Sequence, residues 1–164
     1  MDLTLRNLRQ QDREPIRRIL EATAVFRPEE IAVALELVDG DLAEPDQRDY
    51  AFLVAESEGA VAGYACWGET PCTQGTFDLY WIATDPALHG RGVGRRLMDA
   101  AEADMRARGG RLCVIETSSL PQYEATRRFY LSRGYREAAR LADFYMPGDD
   151  KVVYLGTLQT GPPP

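Results

Sequence analysis

The sequence is poor in lysine, histidine and cysteine. Lys151 is the only lysine, His89 the only histidine, and the cysteines are Cys66, Cys72 and Cys113. An odd number of cysteines with no Cys-x-x-Cys pair argues against a disulfide framework or a zinc site, so no metal is expected. Positive charge is short as well: 19 Lys and Arg face 26 Asp and Glu, for a net charge of −7. A nucleic-acid surface needs clustered positive charge, so no nucleic-acid partner is expected. The acidic balance suits a cationic substrate, although net charge governs steering and solubility more than function. No apolar run approaches the roughly 20 residues of a membrane span. The first residues carry Asp2, Arg6 and Arg9 and lack the apolar core of a signal peptide. The expectation is a cytoplasmic protein with no membrane partner.

What is present is an ordinary globular composition, 45% apolar and 27% charged, in 164 residues. That length suits one domain, expected over residues 1–160, with 161–164 as a tail. Leu3 and Leu5 alternate, with Leu8 beyond, and predict a short first strand. Asp12 is placed to cap a helix carrying Ile16, Ile19, Leu20 and Thr23, with Pro15 in its first turn. Pro28, Glu29 and Glu30 open a second helix, with Ile31, Leu35 and Val38 on one face and Gly40 near its end. Residues 42–49 are polar, contain Pro45 and predict a loop. "YAFLVAE" and "AVAGYACWGE", joined through Ser57, Glu58 and Gly59, predict a β-hairpin. "TFDLYWIAT" predicts a third long strand. Val93, Leu97, Ala101 and Met105 mark the buried stripe of a helix that Gly109 and Gly110 stop. "RLCVIET" predicts a buried strand, and Gln122–Ser132 a helix capped at Gly134. Tyr135–Met146 and "KVVYLGTL" flank a turn at Pro147-Gly148-Asp149-Asp150. The order β-α-α-β-β-β-α-β-α-β-β predicts a mixed α/β fold around one sheet. Its strand–helix–strand unit implies one parallel pair with a right-handed crossover.

That unit contains "DPALHGRGVGRRLM". A P-loop needs Gly-x-x-x-x-Gly-Lys, but counting Gly90 as the first place Arg95 stands at the sixth, with no lysine near. The dinucleotide fingerprint fails too, because Gly94 falls one residue early. The physics still favours an anion. A helix start carries unsatisfied N–H groups and about half a positive charge. Gly90, Gly92 and Gly94 give backbone access, and Arg91, Arg95 and Arg96 add charge. The bland alternative is a glycine-rich turn with solvated arginines.

"ATDPALHGRGVGRRLM" resembles the acyl-CoA pyrophosphate loop of the GNAT superfamily of N-acetyltransferases. The family pattern is Gln or Arg, two residues, Gly, one residue, then Gly or Ala. Gly92 and Gly94 fill the small positions, and His89 stands where the family usually has Gln or Arg. "YEATRRFYLSRGY" resembles the family's later helix, which ends Tyr-x-x-x-Gly-Phe/Tyr; Tyr130, Gly134 and Tyr135 fill those places. The family often has Asn early in this helix, where Tyr123 or Glu124 stands here. The resemblance covers nearly the whole chain. It implies a mixed, mostly antiparallel sheet of about seven strands flanked by four helices. It also implies acetyl-CoA as cosubstrate and acetyl transfer to a primary amine of a small molecule or peptide amino terminus. The family often pairs, so a homodimer is compatible with it. A non-catalytic acyl-CoA-binding sensor is the alternative, and a nucleotide-binding module a weaker third.

The resemblance implies roles. His89, Gly90, Arg91, Gly92, Val93, Gly94 and Arg95 would hold the pyrophosphate. Ile82, Ala83 and Thr84 would bind the pantetheine arm through their backbone, with one N–H polarising the thioester carbonyl. Val114–Thr117 would splay to make room. Tyr130 would be the general acid at the departing thiolate; a core aromatic is the other reading. Asp78, eleven residues before His89, stands where some members carry a catalytic glutamate. Glu69, Glu116 and a water chain are rival bases. On the substrate side, Ala24–Glu30 and Asp143–Lys151 would frame the acceptor. There Glu29, Glu30, Asp143, Asp149 and Asp150 either attract a cationic amine or are solvated loop charges.

Overall fold

Glu58 and Gly59 both take positive φ, +52° and +79°, as a two-residue hairpin turn demands. This turn joins β2 (Ala51–Ser57) to β3 (Ala60–Glu69), the hairpin expected from sequence. The computed structural model describes residues 2–158; the expected tail at 161–164 lies outside them. Around the hairpin run β1 (Thr4–Arg6), α1 (Arg13–Ala22), α2 (Pro28–Ala43), β4 (Thr76–Thr84) and α3 (Val93–Ala107). Then come β5 (Leu112–Ser118), α4 (Glu124–Ser132), β6 (Arg136–Met146) and β7 (Asp149–Thr157). Short 3₁₀ turns occupy Gln10–Asp12, Pro86–Leu88 and Pro121–Tyr123. The strands form a seven-stranded sheet in the order β1-β2-β3-β4-β5-β7-β6. β4 and β5 are parallel, as the strand–helix–strand unit requires. The pairs β1–β2, β2–β3, β5–β7 and β6–β7 are antiparallel. The mixed α/β class and the element order follow the sequence.

The described residues fall into two compact units. One runs to Gly68 and includes Tyr80–Ala103; the other contains Glu69–Leu79 and Asp104 onward. In the first, Ile16, Ile19 and Leu20 of α1 and Ala34, Leu35 and Val38 of α2 bury against Phe52, Val54, Tyr64, Cys66 and Ala83. Side chains of this kind contribute about 1.5–3 kcal/mol each when fully buried. Asp12 departs from the expected cap. Its carboxylate is 1% exposed and accepts from Arg6 Nη1 and Nη2 at 2.7 and 2.9 Å, and from the Arg9 N–H at 2.8 Å. Arg6 also donates to Glu56 at 2.7 Å. The acid therefore ties the turn before α1 to β1 and β2, because a buried carboxylate needs a paired charge more than a helix needs a side-chain cap. α2 also runs past Gly40, and its last turn is closed by Glu44 N–H on the Gly40 carbonyl at 3.0 Å. Burial of the α2 face offsets the roughly 1 kcal/mol that an interior glycine costs.

In the second unit, Phe77, Met105, Cys113, Ile115, Val152 and Leu158 are buried. β7 begins at Asp149, so the hairpin turn is Pro147-Gly148, with Gly148 at φ +83°. Asp149 is 3% exposed and accepts from Ser118 Oγ at 2.5 Å and from the Ser119 N–H at 3.2 Å. It locks the hairpin to the end of β5.

Candidate active site

The loop before α3 is built in short steps. Asp85 donates its N–H to the Ala62 carbonyl at 2.9 Å, and its side chain accepts from the Ala87 N–H at 2.9 Å. The Leu88, His89 and Arg91 N–H groups then close tight turns on Asp85, Pro86 and Leu88. Gly90 and Gly92 take φ +76° and +83°, a left-handed conformation that glycine adopts without penalty. A Cβ at either would meet nothing within 4 Å, so conformation rather than space selects glycine, and the loop surface is open. Val93 is 2% exposed and pins the first turn of α3, which also contains Gly94. The first N–H groups of a helix have no intrahelical partner. None of the described turn and loop bonds uses those of Gly92, Val93, Gly94 or Arg95.

His89, Arg91 and Arg95 are exposed, and none of their side chains makes a hydrogen bond or ion pair with another described residue. Arg96 differs, because its Nη2 donates to the Leu3 carbonyl at 3.3 Å. The loop thus offers open N–H groups and two free guanidinium groups beside an imidazole, the donor set for a phosphate. Just upstream, Ala83 is buried and Ile82 and Thr84 are half-buried. Gly63 on β3 sits against them: a Cβ there would lie 2.7 Å from the Ala83 carbonyl oxygen. That glycine went unnoticed in the sequence, since a glycine inside a strand signals close approach without saying to what.

Tyr130 sits in a different setting. Its ring is 4% exposed on α4, with Phe129, Tyr135 and Tyr154 rings 5.6, 6.3 and 5.9 Å away. The Tyr-x-x-x-Gly-Tyr spacing has a local cause. The Tyr130 carbonyl accepts from the Arg133 and Tyr135 N–H groups at 3.1 and 3.2 Å. Gly134, at φ +86°, turns the chain so that Tyr135 folds back. Gly156 makes room for it, since a Cβ there would meet the Tyr135 ring at 2.5 Å. Burial, and after it the nearby Cys113 and Tyr154, pushes the Tyr130 phenol well above its ordinary pKa, so it keeps its proton.

Asp78 is half-buried on β4, and its Oδ2 accepts from Thr70 Oγ1 at 2.5 Å. Among the rivals, Glu69 is exposed, and Glu116 pairs with Lys151 Nζ at 2.7 Å. The acids of the last hairpin are largely engaged within it. Asp143 accepts from the Gly148 N–H at 2.7 Å, and Asp150 accepts from the Asp143 N–H at 3.0 Å and from Arg140 at 3.3 Å. Asp149 is buried and Asp150 faces Arg140, so the exposed carboxylate of Asp143 is the acid of that hairpin with no cationic partner among the described residues. Glu30 accepts the Arg27 N–H at 2.8 Å at the start of α2. Of the five acids, only the exposed Glu29 makes no hydrogen bond or ion pair with another described residue. Among the described residues, no group of three or more His, Cys, Asp or Glu could hold a metal ion. No described helix is long and apolar enough to cross a membrane.

The Acetyltransferase (GNAT) domain family matches residues 48–137, from the first hairpin through the loop to the end of the Tyr130 motif. A Streptomyces coelicolor L-2,4-diaminobutyric acid acetyltransferase is 30% identical over 127 residues, 70% of this chain and 74% of that one. A solved structure assigned to the GNAT family, from Desulfovibrio desulfuricans, is 43% identical, with a TM-score of 0.92 over 96% of this chain and all of that one. A Salmonella typhimurium structure with its cofactor acetyl-CoA shares the fold, with a TM-score of 0.75 at 22% identity over 100% and 98% of the two chains. The chain belongs to the GNAT acetyltransferase family and is an acyl-CoA-dependent N-acetyltransferase.

Proposed function

We propose that this chain, acting as one domain over residues 1–160, moves an acetyl group from acetyl-CoA to a primary amine of a small molecule or an amino terminus. The observation that carries the cofactor reading is the start of α3. There the open N–H groups of residues 92–95 and the unpaired His89, Arg91 and Arg95 side chains suit a pyrophosphate. Acetyl-CoA supplies the acetyl group as an activated thioester. The backbone of Ile82, Ala83 and Thr84 holds the pantetheine arm, and an N–H there donates to the thioester carbonyl as negative charge grows on it.

Two proton movements fall to the side chains. Asp78 takes a proton from the incoming ammonium, freeing the nitrogen lone pair. The new N–C bond forms as the C–S bond breaks, and the nitrogen gives up its second proton to water as the amide forms. Tyr130 donates its phenolic proton to the departing thiolate and regains one from water. Burial keeps the phenol protonated before the step, so it has a proton to donate. Asp78 is preferred over Glu116 because Lys151 already neutralises the latter. A small diamino acid acceptor in the Streptomyces relative favours a small-molecule amine here.

The test is thiol release from acetyl-CoA with a panel of amines, diamino acids and amino-terminal peptides. Release above blank with at least one amine is expected. Tight acetyl-CoA binding with no release from any amine would point to a sensor.

A further inference from the structure

The eight-residue step from Thr70 to Asp78 contains a hydrogen bond that the proposed mechanism leaves unexplained. Thr70 Oγ1 donates to Asp78 Oδ2 at 2.5 Å, and no other hydrogen bond or ion pair of this carboxylate to a described residue is made. Hydroxyl-to-carboxylate bonds of this length are charge-assisted and among the stronger ones in proteins. One carboxylate oxygen is therefore fixed and the other is open.

The loop that carries Thr70 is held at both ends. The Thr70 N–H donates to the Thr76 carbonyl at 2.8 Å, and the Thr73 hydroxyl to the Thr70 carbonyl at 2.7 Å. At the far end, Arg111 donates its N–H to the Gly75 carbonyl at 2.6 Å and its Nε to the Gln74 carbonyl at 2.8 Å. Gly75 lies so close to the turn after α3 that a Cβ would fall 2.6 Å from the Gly109 carbonyl oxygen. Such anchoring keeps the Thr70 hydroxyl in one place, and a β-branched side chain is stiff at χ1.

We infer that Thr70 is a positioning residue for Asp78. Its hydroxyl holds Oδ2 and fixes the carboxylate plane, so that Oδ1 is the atom that removes the ammonium proton. This rests on the reading of Asp78 as the base. The substituted amine contributes the proton and the lone pair; Thr70 forms and breaks no covalent bond.

The experiment compares Thr70→Val, Thr70→Ser, Asp78→Asn and the Thr70→Val/Asp78→Asn pair. Each is scored for kcat and for the acetyl-CoA KM, with the best amine of the panel. Valine keeps the shape and removes only the donor. Thr70→Val is expected to lower kcat about 10-fold with KM changed less than about twofold, and Thr70→Ser to recover most of it. On the Asp78→Asn background, Thr70→Val should have no further effect, because the coupling runs through that carboxylate. Unchanged kcat in Thr70→Val beside a large loss in Asp78→Asn would overturn the positioning role and leave the base standing. Full activity in Asp78→Asn would remove the base and this role with it. Equal losses from Thr70→Val on both backgrounds would assign Thr70 to loop stability instead.

Discussion

Polar groups are left open at the start of α3 and shut in around Tyr130. At the helix start, Gly90 and Gly92 have empty space where side chains would stand, and His89, Arg91 and Arg95 reach out without partners. Around Tyr130, three aromatic rings close in and Gly156 is a glycine because the Tyr135 ring fills its side-chain space. The same residue type serves opposite ends: glycine leaves backbone open in one place and admits a ring in the other. An anion site needs donors that have given up protein partners. A phenol that must hold its proton until it is needed sits in surroundings that disfavour its anion at rest.

Gly92→Asp should break the open side of the comparison most severely. It adds a negative side chain and strains a positive φ, and acetyl-CoA affinity is expected to fall at least ~100-fold, about 2.7 kcal/mol, by calorimetric titration. The fold should survive, since a Cβ there meets nothing within 4 Å. Gly156→Ala attacks the closed side. The added methyl must displace the Tyr135 ring, and a stability loss of about 1–3 kcal/mol is expected in urea unfolding.

The closed side also has a pH signature. Burial raises the Tyr130 pKa, so the folded state disfavours the phenolate. That contribution is complete below the unfolded pKa of about 10 and is lost as pH rises above it. Buried Tyr64 and Cys66 shift in the same direction. Melting temperature should therefore fall between about pH 9 and 11, and Tyr130→Phe should fall less steeply over that range. The smallest effect is expected at His89→Gln, which installs the residue common in related loops. Acetyl-CoA affinity should stay within about threefold, because the backbone of residues 90–94 makes the cradle.

The order of elements, the α3 stripe and the glycine spacing were legible in the sequence, because each depends on backbone conformation or periodic burial. The partners of single charges were not. Asp12 and Asp149 read as a cap and a loop acid, yet both are buried: Asp12 against Arg6, which bridges it to the distant Glu56, and Asp149 against Ser118, 31 residues away. A carboxylate's identity shows that it needs donors and says nothing of where they come from. Thr70 was invisible for the same reason, since its hydroxyl matters only after the loop to Thr76 has closed. The Tyr130 motif could be recognised as a pattern, but its cause lies in Gly134 and Gly156, which are far apart along the chain and meet at Tyr135.

The division of labour between the open loop and the enclosed phenol is tested most directly by Tyr130→Phe. Its kcat for thiol release and its acetyl-CoA dissociation constant would be measured on the same preparation. The expected result is a kcat lowered roughly 100-fold, with the dissociation constant within about twofold of the parent. A kcat near that of the parent, or an affinity loss as large as the activity loss, would contradict it.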